Sequence, residues 1–242
     1  MKSRVALMCL GLVTAGFCVD EYLPIAPKTL EVDVGVNPVF YDNATVTGLP
    51  VLQLKYGVMP GFDLEAAVNY TIGDVAGLTQ PEIAAKYAIG ATGLGVYANI
   101  VLPVATGDND VASVGLGIQP GVVYGKNYDK IQAVARAYYQ INLEGDNFKK
   151  QNVLDVYLKP GYLVNDKLAA YVGVDYKMYG EAEAGGNAIS GSDGSAFTIA
   201  PGVTYTLDSK IAFEANLPIV LSDDVNGESW GIWASVYYTL PL

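Results

Sequence analysis

Residues 131–143 alternate with a period of two. Ile131, Ala133, Ala135, Ala137, Tyr139, Ile141 and Leu143 share one parity; Gln132, Arg136, Tyr138, Gln140 and Asn142 take the other, with Val134 the one apolar intruder. Successive side chains of a strand point to opposite sides, so this is a strand with one apolar and one polar face. About thirteen residues is long for a soluble strand. At ~3.3 Å per residue and a tilt of ~40°, about ten residues cross the ~25 Å apolar band of an outer membrane. The apolar face would then meet lipid and the polar face a lumen.

The pattern recurs along the chain. Pro120-Gly121, Pro160-Gly161 and Pro201-Gly202 follow one another at intervals of about 40 residues, and Pro81 extends the series backwards without its glycine. Such a repeat can mark a propeller blade of four short strands. Here each repeat holds two long strands, which predicts a hairpin of a barrel wall. Alternating segments at 29–36, 50–58, 62–72, 83–89, 94–104, 114–124, 131–143, 154–162, 170–178, 197–205, 211–219 and 230–240 make about twelve strands. Short connections at 60–61, 90–93, 126–130, 165–167 and 208–209 alternate with longer polar ones at 37–48, 73–79, 106–113, 145–152, 181–194 and 222–229. The predicted fold is all-β: a transmembrane antiparallel up-and-down β-barrel of about 12 strands, with short periplasmic turns and longer extracellular loops. Tyr56, Tyr87, Tyr124 and Tyr205 precede short turns on the lipid parity and would form the periplasmic aromatic girdle, with Tyr70, Tyr139 and Tyr176 toward the other interface.

Prolines at 120, 160 and 201, and also Pro103 and Pro218, run against this reading, because proline has no N–H for the ladder. A glycine following each of the first three suggests bulges that bend the wall. A soluble β-sandwich, which could hold such prolines on its edges, is the competing fold.

Although 51% of the residues are hydrophobic, no run after the N-terminus approaches 18 apolar residues, which excludes helical spans. Residues 1–18 read as a signal peptide: Lys2 and Arg4 form its charged start, 5–17 its apolar core, and cleavage follows Ala15 or Cys18. Phe17 argues against a lipid-modified Cys18. The mature domain is then 19–242, without cysteine. The formal net charge of −11, or −13 once Lys2 and Arg4 are gone, argues against nucleic acid. It fits solvated acidic loops, or a lumen that favours cations.

On the polar parity stand Glu31, Asp33, Lys55, Glu65, Glu82, Lys86, Arg136, Asp155, Lys159, Asp175, Lys177 and Glu214. In a barrel these converge on the lumen, either as an interior filled with ion pairs and tyrosines or as the lining of a narrow aqueous pore. The candidates for electrostatic selection are Lys55, Glu65, Lys86, Arg136, Asp155, Lys159, Asp175, Lys177 and Glu214. No catalytic residue is expected: the sequence has no histidine, and Glu31 and Asp33 stand two apart, an ordinary lumen spacing. Asp108, Asn109 and Asp110 resemble the start of a calcium loop without its glycine and distant glutamate, so no metal or cofactor is expected. Gly115, Gly117 and Gly121 lie inside a strand, where they relieve crowding.

The stretches Lys55-Tyr56-Gly57 with Pro60-Gly61-Phe62-Asp63-Leu64-Glu65, Pro81-Glu82-Ile83 with Lys86-Tyr87, and Leu102-Pro103-Val104 with Thr106-Gly107-Asp108 resemble the outer-membrane barrel family labelled as transporters or as proteins of a phenol-degradation (MetA) pathway. The resemblance covers most of the mature chain. It implies an outer-membrane barrel that passes small solutes, with no catalytic residues to carry over. One departure is the final Thr239-Leu240-Pro241-Leu242, where barrels of this kind usually end in an aromatic residue.

The expected function is a passive, porin-like channel for small solutes, partnered by outer-membrane lipid and lipopolysaccharide. The alternative is a closed barrel whose loop 181–194 binds a partner at the cell surface.

Overall fold

The computed structural model describes residues 24–41, 44–107, 115–145 and 148–242, with the backbone alone at Pro50. The expected signal segment 1–18 and the acidic stretch 108–110 lie outside the described residues. Twelve strands form the wall: β1 (Thr29–Tyr41), β2 (Thr45–Met59), β3 (Phe62–Gly73), β4 (Glu82–Ala88), β5 (Leu94–Val101), β6 (Gly117–Tyr128), β7 (Ile131–Asn142), β8 (Val153–Leu163), β9 (Leu168–Tyr179), β10 (Gly194–Thr206), β11 (Ile211–Asn216 continued by Ile219–Asp223) and β12 (Ser229–Gly231 continued by Trp233–Pro241). Each pairs antiparallel with the next, and β12 returns to β1 from Thr29↔Pro241 to Val36↔Ala234. The sheet is therefore closed and has no edge, the only sheet form that satisfies every backbone group inside lipid.

The alternation places large apolar side chains outward. Leu64, Ile83, Val122 and Leu158 are each 45–50% exposed, and comparable residues cover every strand. A continuous apolar belt of this size is unstable against water and is the surface a bilayer covers. Tyr56, Tyr87, Tyr205, Tyr70, Tyr139 and Tyr176 all stand on this outer face, as the girdle requires.

Two local expectations differ. First, 37–48 is mostly strand: β1 and β2 continue upward through Asn37↔Gly48 to Phe40↔Thr45. The register slips between Gly48 and Val51, so Leu49-Pro50 form a bulge in β2 that absorbs the missing proline N–H and flips the parity above it. The extension is held on its other side by β12, where Phe40 stacks on Trp230 at 4.4 Å.

Second, the Pro-Gly pairs are not bulges, since the ladders run through Ala98↔Pro120, Pro160↔Ala133 and Val172↔Pro201 without a slip. Proline points to lipid and costs a local bond toward its hairpin partner. The glycine points inward, where two of the three seat a tyrosine from the preceding strand. A Cβ on Gly121 would lie 2.5 Å from the Tyr97 ring, and one on Gly202 2.5 Å from the Tyr171 ring. The wall does break at Pro218, between the two halves of β11, and its carbonyl is taken by the Gly231 N–H at 2.9 Å.

The loops on the long side fold over the mouth. Phe148–Lys149, Glu183–Ala184 and Asn187–Ala188 form a small three-stranded sheet between the β7–β8 and β9–β10 connections. Lys149 bonds Glu183 at 2.8 Å across it, and the Gln151 side chain donates to the Ser192 carbonyl at 3.0 Å.

Candidate functional site

The twelve charged residues singled out on the polar parity face the lumen, Asp63 joins them as a thirteenth, and register decides their partners. Glu31 lies directly opposite Lys55, Lys55 opposite Glu65, Asp63 opposite Lys86, and Asp155 opposite Lys177. Opposite charges at cross-strand positions attract at short range.

Three clusters result. In the first, Lys86 Nζ sits 2.8 Å from Glu65, both side chains fully buried, while Lys55 reaches Glu31 at 3.3 Å and the Gln53 amide donates to Glu65. In the second, Asp155, buried on β8, lies between Arg136 at 3.5 Å and Lys177 at 3.8 Å, and Lys177 also reaches Asp175 at 3.3 Å. The Arg136 guanidinium lies 5.4 Å from both the Tyr138 and Tyr157 rings, a cation–π contact on two sides. In the third, Lys159 of β8 crosses to Glu214 of β11 at 2.8 Å. Tyr171 and Tyr237 donate their hydroxyls to the same carboxylate, the latter at 2.9 Å, and Lys159 lies 4.1 Å from the centre of the Tyr171 ring.

Sequence reasoning singled out the charges and missed the amides beside them. The Asn99 amide donates to Glu82 and to Gln119, both at 2.6 Å; Gln119 donates to Gln140 and Gln140 to Asn142, each at 2.7 Å; Asn142 donates to the Gln151 carbonyl. A hydrogen-bonded belt thus runs from β4 across the wall to β7 and up into the folded-over loops. Bonded neighbours in it stand up to 21 positions apart along the chain, so the only sequence signal is the presence of Asn and Gln on the polar parity. Lys150 covers this belt from above: it is buried and donates to Gln80 Oε1 at 2.7 Å. Burial pushes its ammonium down to about 8, against the pull of Glu82, the smaller effect.

The lumen is divided into two kinds of surface. Across β3–β6 the inward side chains are buried, with Ala67, Ala84, Tyr97, Val123 and Tyr138 of β7 forming an apolar cluster in which the two tyrosine rings meet edge-on at 6.5 Å. On β10 every inward residue from Thr198 to Thr206 keeps solvent contact. Asp175, Lys177, Asn216, Trp233, Tyr237, Thr239 and Glu31, on β9, β11, β12 and β1, also remain partly exposed. At the periplasmic end this strip widens into a cavity of about 300 Å³ bordered by Glu31, Lys55, Thr204, Thr206, Glu214, Tyr237 and Thr239. The segment before β1 turns into the same end: the Ile25 N–H donates to Asp63 Oδ2 at 3.1 Å, and the Ile25 side chain reaches the cavity. Gly57 permits this approach, since a Cβ there would strike the Ala26 carbonyl.

The model of a family described as "Putative MetA-pathway of phenol degradation" matches residues 15–236. Among solved structures, an outer membrane channel of Pseudomonas putida F1 superposes with a TM-score of 0.74 at 12% identity, over 92% of this chain and 100% of that one. The NanC porin gives a TM-score of 0.60 at 13% identity over 86% and 100%, and the KdgM porin 0.54 at 12% over 85% and 98%. These likenesses establish a shared barrel fold. No curated protein matches the sequence.

Proposed function

The chain belongs to the family described as "Putative MetA-pathway of phenol degradation", and from that membership, its fold and its divided lumen we propose that it is a passive outer-membrane channel for small solutes. The observation that carries this reading is the strip of partly exposed inward residues along β10 and its neighbours, which offers a narrow wet path beside a sealed wall. Transport through it needs no moving part and no catalytic group. Selection falls to the charges the path touches.

Of the nine lumen candidates, Asp175, Lys177 and Arg136 keep 19%, 13% and 10% side-chain exposure, and Glu31, outside the nine, keeps 21%; these act on passing solutes. Lys55, Glu214 and Lys159 are nearly closed off but border or brace the path. Glu65, Lys86 and Asp155 are fixed inside the wall and act through the net field. The inward acids Glu31, Asp33, Asp63, Glu65, Glu82, Asp155, Asp175 and Glu214 outnumber Lys55, Lys86, Arg136, Lys159 and Lys177, which favours cations. Loop 181–194 contributes the buried Ala182 and Ser192 to the folded-over cap, so its role in this reading is to narrow the mouth. Localisation in the outer membrane, export by a cleaved signal and contact with lipopolysaccharide complete the proposal.

Single-channel recording of the folded protein in a planar bilayer under a salt gradient tests it. Steady conductance with a cation-side reversal potential is expected. Silence from a barrel that migrates as folded on a gel overturns the channel reading in favour of a closed one.

A further inference from the structure

We infer that the periplasmic tip of the β6–β7 hairpin carries a binding notch for one anionic phospholipid, its phosphate held by Lys126; the inference rests on the membrane barrel and not on whether the lumen conducts. Among the charged residues of the twelve wall strands, Lys126 alone lies on the lipid parity, in line with Val122, Tyr124 and Tyr128. An ammonium there is costly against hydrocarbon and is stable only where it reaches water or a headgroup phosphate. The hairpin lets it do so. β5 ends at Leu94↔Tyr124, and Gly125 gives its N–H to the Gly93 carbonyl at 2.8 Å. β6 continues to Tyr128, paired there with β7 alone. Lys126 therefore stands beyond the β4–β5 turn, where Ile89, Gly90, Ala91 and Thr92 are exposed and uncharged.

The notch between that turn and the hairpin offers three kinds of donor. Lys126 has no hydrogen bond or ion pair among the described residues, and its ammonium lies 5.5 Å from the centre of the Tyr128 ring, which keeps it on the outer face. Tyr124 and Tyr128 share one hydrogen bond between their hydroxyls, which uses one of the two protons and leaves the other to donate. Alternation along the ladder turns the Asn127 N–H the same way as that of Gly125, toward the flank that β5 has left. Ammonium, hydroxyl and amide together suit phosphoryl oxygens. Ile89 and Leu94, both exposed on the outer face, receive the glycerol and the first acyl carbons. Charge selects the anionic class. At the tip Asp129 and Lys130 cancel, and neither side chain is paired among the described residues, so Lys126 sets the sign. All five exposed lysines among the described residues stand at this end of the barrel, against three exposed aspartates.

The test is native mass spectrometry of the folded protein in detergent, titrated with an equal mixture of phosphatidylglycerol, phosphatidylethanolamine and phosphatidylcholine of one acyl length. Phosphatidylglycerol should be the first lipid retained, by about fivefold over either zwitterionic lipid, the advantage of one lysine toward an anionic headgroup. Lys126→Gln should reduce that preference to less than about twofold, and Lys126→Arg, which keeps the charge, should retain it. Tyr124→Phe with Tyr128→Phe should weaken phosphatidylglycerol retention by about fivefold, the loss of one hydrogen bond. Heat-modified migration on a gel verifies that each variant is folded. Equal retention of the three lipids by the parent protein overturns the inference. A folded Lys126→Gln protein with the parent's preference overturns the placement, and so does Lys130→Gln if it loses as much as Lys126→Gln, since the attraction is then spread over the rim. Conductance enters none of these outcomes, so the channel reading stands or falls separately.

Discussion

The lumen sectors around β3–β6 and around β10 are built from the same alternation and behave as opposites. On β3–β6, lysine, glutamate and asparagine are as buried as a soluble core: Lys86, Asp63 and Asn99 have no exposed surface. Each is placed where the neighbouring strand brings a partner, and Tyr97 lies over Gly121 between them. On β10 itself the inward residues are threonine, alanine and glycine, too short to reach across, so water stays. The register slips in the described ladders fall in β2 and β11, the breaks in β11 and β12, with Pro218 at one of them; the ladders from β3 to β9 run without a slip. A barrel of twelve strands is too wide to fill with small residues and too narrow to stay open if lined with long ones. This chain does one on each side.

Removing a cation from the sealed sector should have the largest effect. Lys86→Met leaves Glu65 buried beside Asp63 without its partner and is expected to cost about 3–5 kcal/mol in urea unfolding from lipid vesicles, whereas Asp175→Asn in the wet sector should cost less than about 1 kcal/mol. An equal effect at both positions would erase the distinction. The cap over the sealed sector should respond to pH. Because burial holds Lys150 at about 8, below its ordinary 10.5, the opened state binds the extra proton between these values. Cap stability therefore rises as pH increases from about 8 to 10.5, by roughly 1–3 kcal/mol. Hydrogen exchange at the Ala182 amide, corrected for intrinsic rates, should slow relative to expectation over that range, and Lys150→Met should remove the trend.

Glycine substitutions separate seats for tyrosine from ordinary positions. Gly121→Ala should destabilise by about 1–3 kcal/mol because its methyl group meets the Tyr97 ring. Gly161→Ala, whose nearest neighbour would be 3.4 Å away, should stay within about 0.5 kcal/mol. Equal effects would refute the seating account. The smallest effect is electrical: Asp175→Asn should lower the cation-over-anion permeability ratio and Lys177→Met raise it, read as opposite shifts of reversal potential. Charge removal restricted to the Glu65–Lys86 pair, with both partners neutralised together, should shift it less than either.

Much of this was legible beforehand because a strand's period is local. Whether Leu64 faces lipid and Glu65 the lumen depends only on parity, which the sequence states directly. The folded-over loops were not legible, since Lys150 and Gln80 are 70 positions apart and nothing in either segment names the other. The extension of β1 and β2 is hidden in the sequence because Leu49-Pro50 shifts the parity midway. The Pro-Gly pairs suggest bulges because a proline's missing N–H is visible in sequence, while the tyrosine that Gly121 and Gly202 each accommodate comes from the preceding strand.

The sequence by itself determined the strand count, the two faces, the aromatic girdle and the inward charges apart from Asp63, all consequences of alternation and turn chemistry. Only the tertiary structure decided which charges meet and which stay wet. Glu31 finds Lys55 through register, and Lys159 finds Glu214 three strands away through the curvature of a closed wall. Both depend on the whole sheet having closed, because side chains on one face acquire partners across a lumen only once that lumen exists.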